Sequence, residues 1–143
     1  MNKDTVNLLR ECNAGIKMGE RAIKKVLPKV KSKELRKSLE ICKDTHAQLG
    51  DRTHSLLLEN GADTKPPHVI ASAMSDAKIS VMLALNENDR EVASLMTDGC
   101  NMGIKSISKY LNKYKGADSR SKEIAKELVA SEEYLGISMR EYL

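Results

Sequence analysis

The chain has 143 residues, 41% of them hydrophobic and 31% charged, with a formal net charge of +4, no Phe, no Trp and four Tyr. That length suits one domain with a core of its own, and the lack of any apolar run near 18 residues excludes a membrane-spanning helix. The mild charge favours neither nucleic acid nor a membrane surface as partner, while an aliphatic core inside a highly charged shell suits helices.

In the first segment Leu9, Cys12, Ile16, Gly19, Ile23, Val26 and Val30 step by three and four in turn. This spacing predicts a helix from about Asp4 to Leu27 with one apolar seam. Pro28 removes a helical donor, and Ser32 offers a cap for the next helix. The second seam is Leu35, Leu39, Cys42, His46, Leu49, Thr53 and Leu56, closed by Gly61 and the pair Pro66 and Pro67. Ile70, Met74, Ala77, Val81 and Leu85 predict a shorter helix in the connection. Asn88 with Glu91 is close to a capping box and opens a helix carrying Val92, Met96, Cys100, Ile104, Ile107, Leu111 and Tyr114. "KGADS" turns the chain into a last helix, from Ser119 to about Tyr142. No run has the pattern of a strand.

Two phrases recur. "ECNAGIK", Glu11 to Lys17, returns as "GCNMGIK", Gly99 to Lys105, and "SKELRKSL", Ser32 to Leu39, returns as "SKEIAKEL", Ser121 to Leu128. Both helices of the first hairpin are therefore copied in the second, with repeat one at about 4–60, a crossover at 61–87 and repeat two at 88–143. A helical hairpin cannot bury its own apolar face, so the copies are expected to pack on each other. The predicted fold is all-α: one domain, 1–143, a four-helix bundle of two duplicated antiparallel hairpins joined by a crossover containing a short fifth helix. The third long helix would run antiparallel to the first, about a pseudo-two-fold axis.

Two hairpins, a long crossover and an internal repeat resemble the ferritin-like superfamily. More narrowly, "LLRECNAGIKMG", "MTDGCNMGIKSISKYL" and "EEYLGISMREYL" resemble uncharacterised bacterial ferritin-like domains of unknown function, over essentially the whole chain. Active members of the superfamily hold two metals through a Glu from each of two helices and a Glu-x-x-His from each of the other two. No Glu here has a His three residues on. The near match, Asp51-x-x-His54, falls outside its helix's seam, and Arg140 and Leu143 stand at the repeat-equivalent positions. The resemblance thus implies the fold without di-iron chemistry, and no cofactor is expected.

The repeated Cys-Asn pair falls mid-helix on the two seams. Counting back from a turn near residue 30 puts residue 14 level with His46, so Cys12, Asn13, His46, Cys100 and Asn101 are expected to converge as a buried polar centre at mid-bundle. The structural interpretation makes the cysteines small hydrophobes and an Asn amide the partner of His46. The alternative makes Cys12, His46 and Cys100, with Cys42 a turn before His46, ligands of a soft metal such as zinc or copper, or makes Cys12 and Cys100 a redox pair. Gly15 and Gly103, repeat equivalents inside long helices, are expected where helices approach closely.

Charge is segregated. Lys17 to Lys37 carries nine basic and two acidic residues, and Lys105 to Lys126 seven and two. These basic turns are expected to be compensated by acidic helix ends of the other copy, with Asp89, Glu91, Glu132 and Glu141 beside the first turn. Three functions are compatible with the sequence. The first is a non-catalytic binding or structural module without a di-iron centre. The second is a metal-binding or redox protein using the Cys/His cluster, and the third is a binder of nucleic acid or an acidic partner through the Lys-rich turns. A homodimer is implied by the resemblance alone. No nucleophile, base and oxyanion arrangement supports an enzyme label, and three widely spaced cysteines without an apolar leader point to the cytoplasm.

Overall fold

The computed structural model describes residues 2–64 and 88–143, all helical apart from turns and ends: four α-helices and, among the described residues, no strand. They are α1 (Lys3–Val26), α2 (Lys33–Glu59), α3 (Asp89–Lys113) and α4 (Ser119–Met139), with single 3₁₀ turns at Leu27–Lys29 and Arg140–Tyr142. The helix expected between Val69 and Leu85 lies outside the described residues. No helix among those described is long and apolar enough to cross a membrane.

Each helix begins where a short polar side chain can take an orphan amide. Asn2 accepts from Thr5 N, Ser32 from Leu35 N, Asn88 from Glu91 N and Asp118 from Ser121 N. The last cap falls three residues before Ser121, the repeat partner of Ser32, so the two hairpins differ in their turns. Pro28 stands in the 3₁₀ turn after α1, and Gly61, at φ 67°, takes the left-handed conformation after α2.

The hairpins interlock at both ends. Asp89, opening α3, accepts from the backbone amides of Lys31 at 2.8 Å and Ser32 at 3.0 Å, in the α1–α2 turn. At the opposite end Asp4, opening α1, accepts from Gly116 N at 2.8 Å, Asn2 Nδ2 donates to Gly116 O, and Thr5 Oγ1 accepts from Asp118 N. The start of α3 thus lies at the end of α1, and the two run antiparallel as the repeat predicts. Asp89 does lie at the first basic turn, where it bonds backbone amides.

The seams of α1 and α2 bury largely as expected, that of α3 only in part, with Ile104, Leu111 and Tyr114 half-buried, and the core is divided along its length. One apolar cluster gathers Ile23, Val26, Leu35, Leu39, Val92, Met96, Leu135 and Met139 near the α1–α2 turn. The other gathers Leu8, Leu9, Ile16, Leu49, Leu57, Ile107, Ile124 and Leu128 near the α3–α4 turn. Between them, at mid-bundle, sits a charged layer.

Candidate functional site

His46, one step along the α2 seam, is 0% exposed. Its Nδ1 is 2.9 Å from the backbone oxygen of Cys42, one turn earlier. A carbonyl only accepts, so Nδ1 carries a proton and donates. Its Nε2 faces Glu132 Oε1 of α4 at 3.0 Å, and Glu132 is itself 8% exposed. With Nδ1 committed, Nε2 and the carboxylate share one proton. Burial by itself lowers the imidazole's pKa, but the hydrogen bonds to Cys42 and Glu132 and the nearby negative charge outweigh it and carry His46 up to about 10. At neutral pH the layer is therefore a largely buried imidazolium–carboxylate pair.

Two glycines make room for this pair. A Cβ at Gly19 would lie 2.7 Å from His46 Nε2 and 2.8 Å from its Cδ2, and one at Gly103 would lie 3.3 Å from Glu132 Cδ. The repeat departs from itself at these places: Gly19 answers Ile107, His46 answers Leu135, and Lys43 answers Glu132. In one copy of the contact Ile107 fills the space over Gly15, at 3.6 Å from a Cβ there. At the equivalent place Gly19 and Gly103 leave the space open above the ion pair.

The expected polar centre is only partly assembled. Gly15 facing Ile107 sets the register of α1 against α3, placing Cys12 level with Tyr110 and Cys100 level with Ala22. Cys12 and Cys100 are thus separated by about ten residues of helical rise, about 15 Å, and belong to different apolar clusters. A pseudo-two-fold axis brings repeat equivalents together only near the level it crosses, and neither cysteine is there. Asn13 is buried, but its amide donates to Thr64 O at 2.9 Å. Asn101, a residue beyond Cys100 and so turned away from the seam, is exposed. His46 is level with Gly19, about a turn from the expected position near residue 14. Glu132, expected beside the first basic turn, is the partner that the sequence reading missed. Its signal was available: it stands one helical step after Leu128 in the stripe Ile124, Leu128, Leu135 and Met139, a carboxylate on an aliphatic face.

The sulfurs nearest the layer are Cys42 and Cys100. Cys42 Sγ lies 3.5 Å from His46 Nδ1 and 3.6 Å from Ser131 Oγ. Burial, and then the Glu132 carboxylate beside it, push the Cys100 thiol well above its ordinary range. Burial and the Glu11 charge raise Cys12 to about 12. All three cysteines are free and buried, the reverse of an activated thiolate. Both ring nitrogens of His46 are engaged, and among the described residues no three His, Cys, Asp or Glu side chains are grouped to hold a metal ion. Asp51 and His54 are both exposed.

Above the layer, α1 and α3 stand apart and leave a groove of about 310 Å³. Its walls are glycine-rich, with Gly15 and Gly19 on one side and Gly99 and Gly103 on the other. Met18, Met96 and Met102 give it thioether surface, and His46, Glu132, Cys42 and Cys100 reach it from below. Met102, 64% exposed, is the most open of its apolar residues. Glu11 and Asp98 stand on the walls, and Tyr110 ends the groove, its phenol raised by burial and by the charge and hydrogen bond of Glu11. No protein-family model, curated protein or solved structure matches the chain.

Proposed function

We propose that this chain is a ferritin-like bundle that binds a small molecule in the α1–α3 groove, its mid-bundle level given over to the His46–Glu132 pair and not to a di-iron centre. The ferritin-like assignment is supported by two antiparallel hairpins, a long connection and α3 antiparallel to α1. The binding role is carried by one observation: a glycine-walled, mostly apolar groove whose floor is a buried ion pair. A concave apolar site with a few convergent polar groups is the usual form of a ligand pocket, and about 310 Å³ is at the small end of the ~300–1,000 Å³ such pockets span. No chemical step is assigned, since Nδ1 of His46 is fixed to a carbonyl and the Cys12 and Cys100 thiols are held protonated. The protein binds and holds.

A fragment screen read by ¹³C-methyl signals of Met18, Met96 and Met102 tests this role. Ligands are expected to shift these methyls in the parent chain and to lose that effect in Gly99→Leu. Gly99 lines the groove, and among the described residues a Cβ there meets nothing within 4 Å, so the larger side chain is accommodated without displacing the core. A screen in which no compound moves the three methyls, or in which Gly99→Leu binds as well as the parent, would refute the role.

A further inference from the structure

The groove's electrostatics define the class of ligand, an inference that rests on the binding role above. The chain carries 24 Lys and Arg against 20 Asp and Glu, so a groove sampled at random would be as basic as acidic. Among the described residues no Lys or Arg lines it, while Glu11, Asp98 and Glu132 do. Glu132 is neutralised by His46 below it at 3.0 Å. Glu11, on α1 beside Tyr110, and Asp98, on α3, remain as acidic lining residues toward the two ends of the groove. The interior between them is aliphatic and thioether surface with exposed glycine backbone, which offers area to a hydrocarbon body and no cationic anchor to a carboxylate or phosphate.

We propose that the groove takes an apolar organic cation, a primary or secondary amine on a hydrocarbon body. The hydrocarbon lies over Gly15, Gly19 and Gly103 between the methionines, and the ammonium is held at the acidic wall by Glu11 or Asp98. A charge-assisted hydrogen bond is about twice as strong as a neutral one, and at the Glu11 end Met18 and Tyr110 line the groove along with the carboxylate. An anionic amphiphile would meet a carboxylate at either end and, among the described residues, no Lys or Arg to balance it, which gives the groove discrimination by repulsion as well as attraction.

The test uses three probes of one shape, n-octylamine, n-octanol and octanoate, titrated into the full chain by calorimetry and followed at the methionine methyls. Octylamine is expected to bind, octanol about tenfold more weakly, and octanoate not measurably. Asp98→Asn with Glu11→Gln is expected to bring octylamine down to the affinity of octanol and leave octanol unchanged. Binding of octanol or octanoate at least as tight as that of the amine would overturn this inference and leave the binding role standing. Binding by none of the three, with the methyls unmoved, would overturn both. So would methyl–proton Overhauser contacts, in the ligand-free chain, between groove methionines and residues 65–87, since the groove would then be filled by its own chain.

Discussion

The ion pair at mid-bundle makes its strongest prediction when each partner is removed in turn. In His46→Leu, Glu132 loses its counter-charge but stays enclosed, 8% exposed in the parent. It must either stay ionised, at a cost of several kcal/mol, or take up a proton. Protonating a carboxyl of ordinary acidity, near 4.3, at pH 7 costs about 4 kcal/mol, which caps the penalty. In Glu132→Leu the imidazole escapes more cheaply. It sheds its proton, keeps the Nδ1 bond to the Cys42 carbonyl, and leaves one buried acceptor unsatisfied at about 1–3 kcal/mol. The double variant removes both charges and joins the two apolar clusters. It is expected near the parent, or above it by about 1–4 kcal/mol. Urea unfolding at pH 7, followed by far-UV circular dichroism and extrapolated linearly, gives all four corners of the cycle. His46→Leu should also recover stability on acidification from pH 7 to 5, at about 1.4 kcal/mol per unit for one proton taken up. A double variant destabilised by the sum of the singles, or a His46→Leu loss under about 1 kcal/mol, would refute the enclosed pair.

The parent should itself weaken with pH. Because the folded pKa of His46 is raised, from near 6.5 to about 10, the folded state holds a proton that the unfolded chain has released; the stabilisation is complete below about 6.5 and is lost as pH rises toward 10. Between pH 6.5 and about 7.5, below the range of the unfolded thiols, the loss approaches about 1.4 kcal/mol per unit, and a flat urea midpoint there would contradict it. Gly19→Ala should destabilise in spite of a helix-propensity gain of about 1 kcal/mol, since its Cβ would meet His46 at 2.7 Å, while Gly99→Ala should stabilise by about that gain; thermal midpoints moving the same way in both would count against the packing described. Asp89→Ala, which orphans the amides of Lys31 and Ser32, should cost about 1–3 kcal/mol, with Lys31 and Ser32 losing hydrogen-exchange protection; unchanged exchange there would show that another group satisfies them.

Much of the fold was legible in the sequence. The three-and-four spacing through Leu9, Cys12, Ile16 and Ile23 is a direct projection of a helix packed on one side, and Ser32, Asn88 and Gly61 act at the ends where their chemistry is useful. The repeat implied the antiparallel placement of α1 and α3. The site was legible only in part, because periodicity gives the angle of a side chain about its helix but not its height against the neighbouring helix. Cys12 and Cys100 have the correct angle and differ in height, so they never meet. Asn13 and Asn101 share a phrase but not an environment: the first is buried and reaches Thr64, which follows α2, and the second is exposed. His46 was correctly placed inside, and it acquired a carboxylate partner where an amide was expected. Glu132 belongs to the acidic side of the charge balance by region, while its place in the stripe of α4 marks it as interior. Comparing the copies position by position, at Gly19 against Ile107 and Lys43 against Glu132, would have located the site, since a duplicated bundle reveals its specialised places where the two halves disagree.

Each hairpin turn in this protein is fastened by an aspartate belonging to the other hairpin, Asp89 on the first and Asp4 on the second. Neither half therefore finishes its own loop, and neither is expected to persist as an isolated monomer. Severing the backbone between residues 64 and 88 leaves both fasteners in place, so the two pieces, produced together, should find one another and rebuild the bundle. The bundle would then serve as a two-part reporter of proximity, dark when its fragments are apart and structured when they meet.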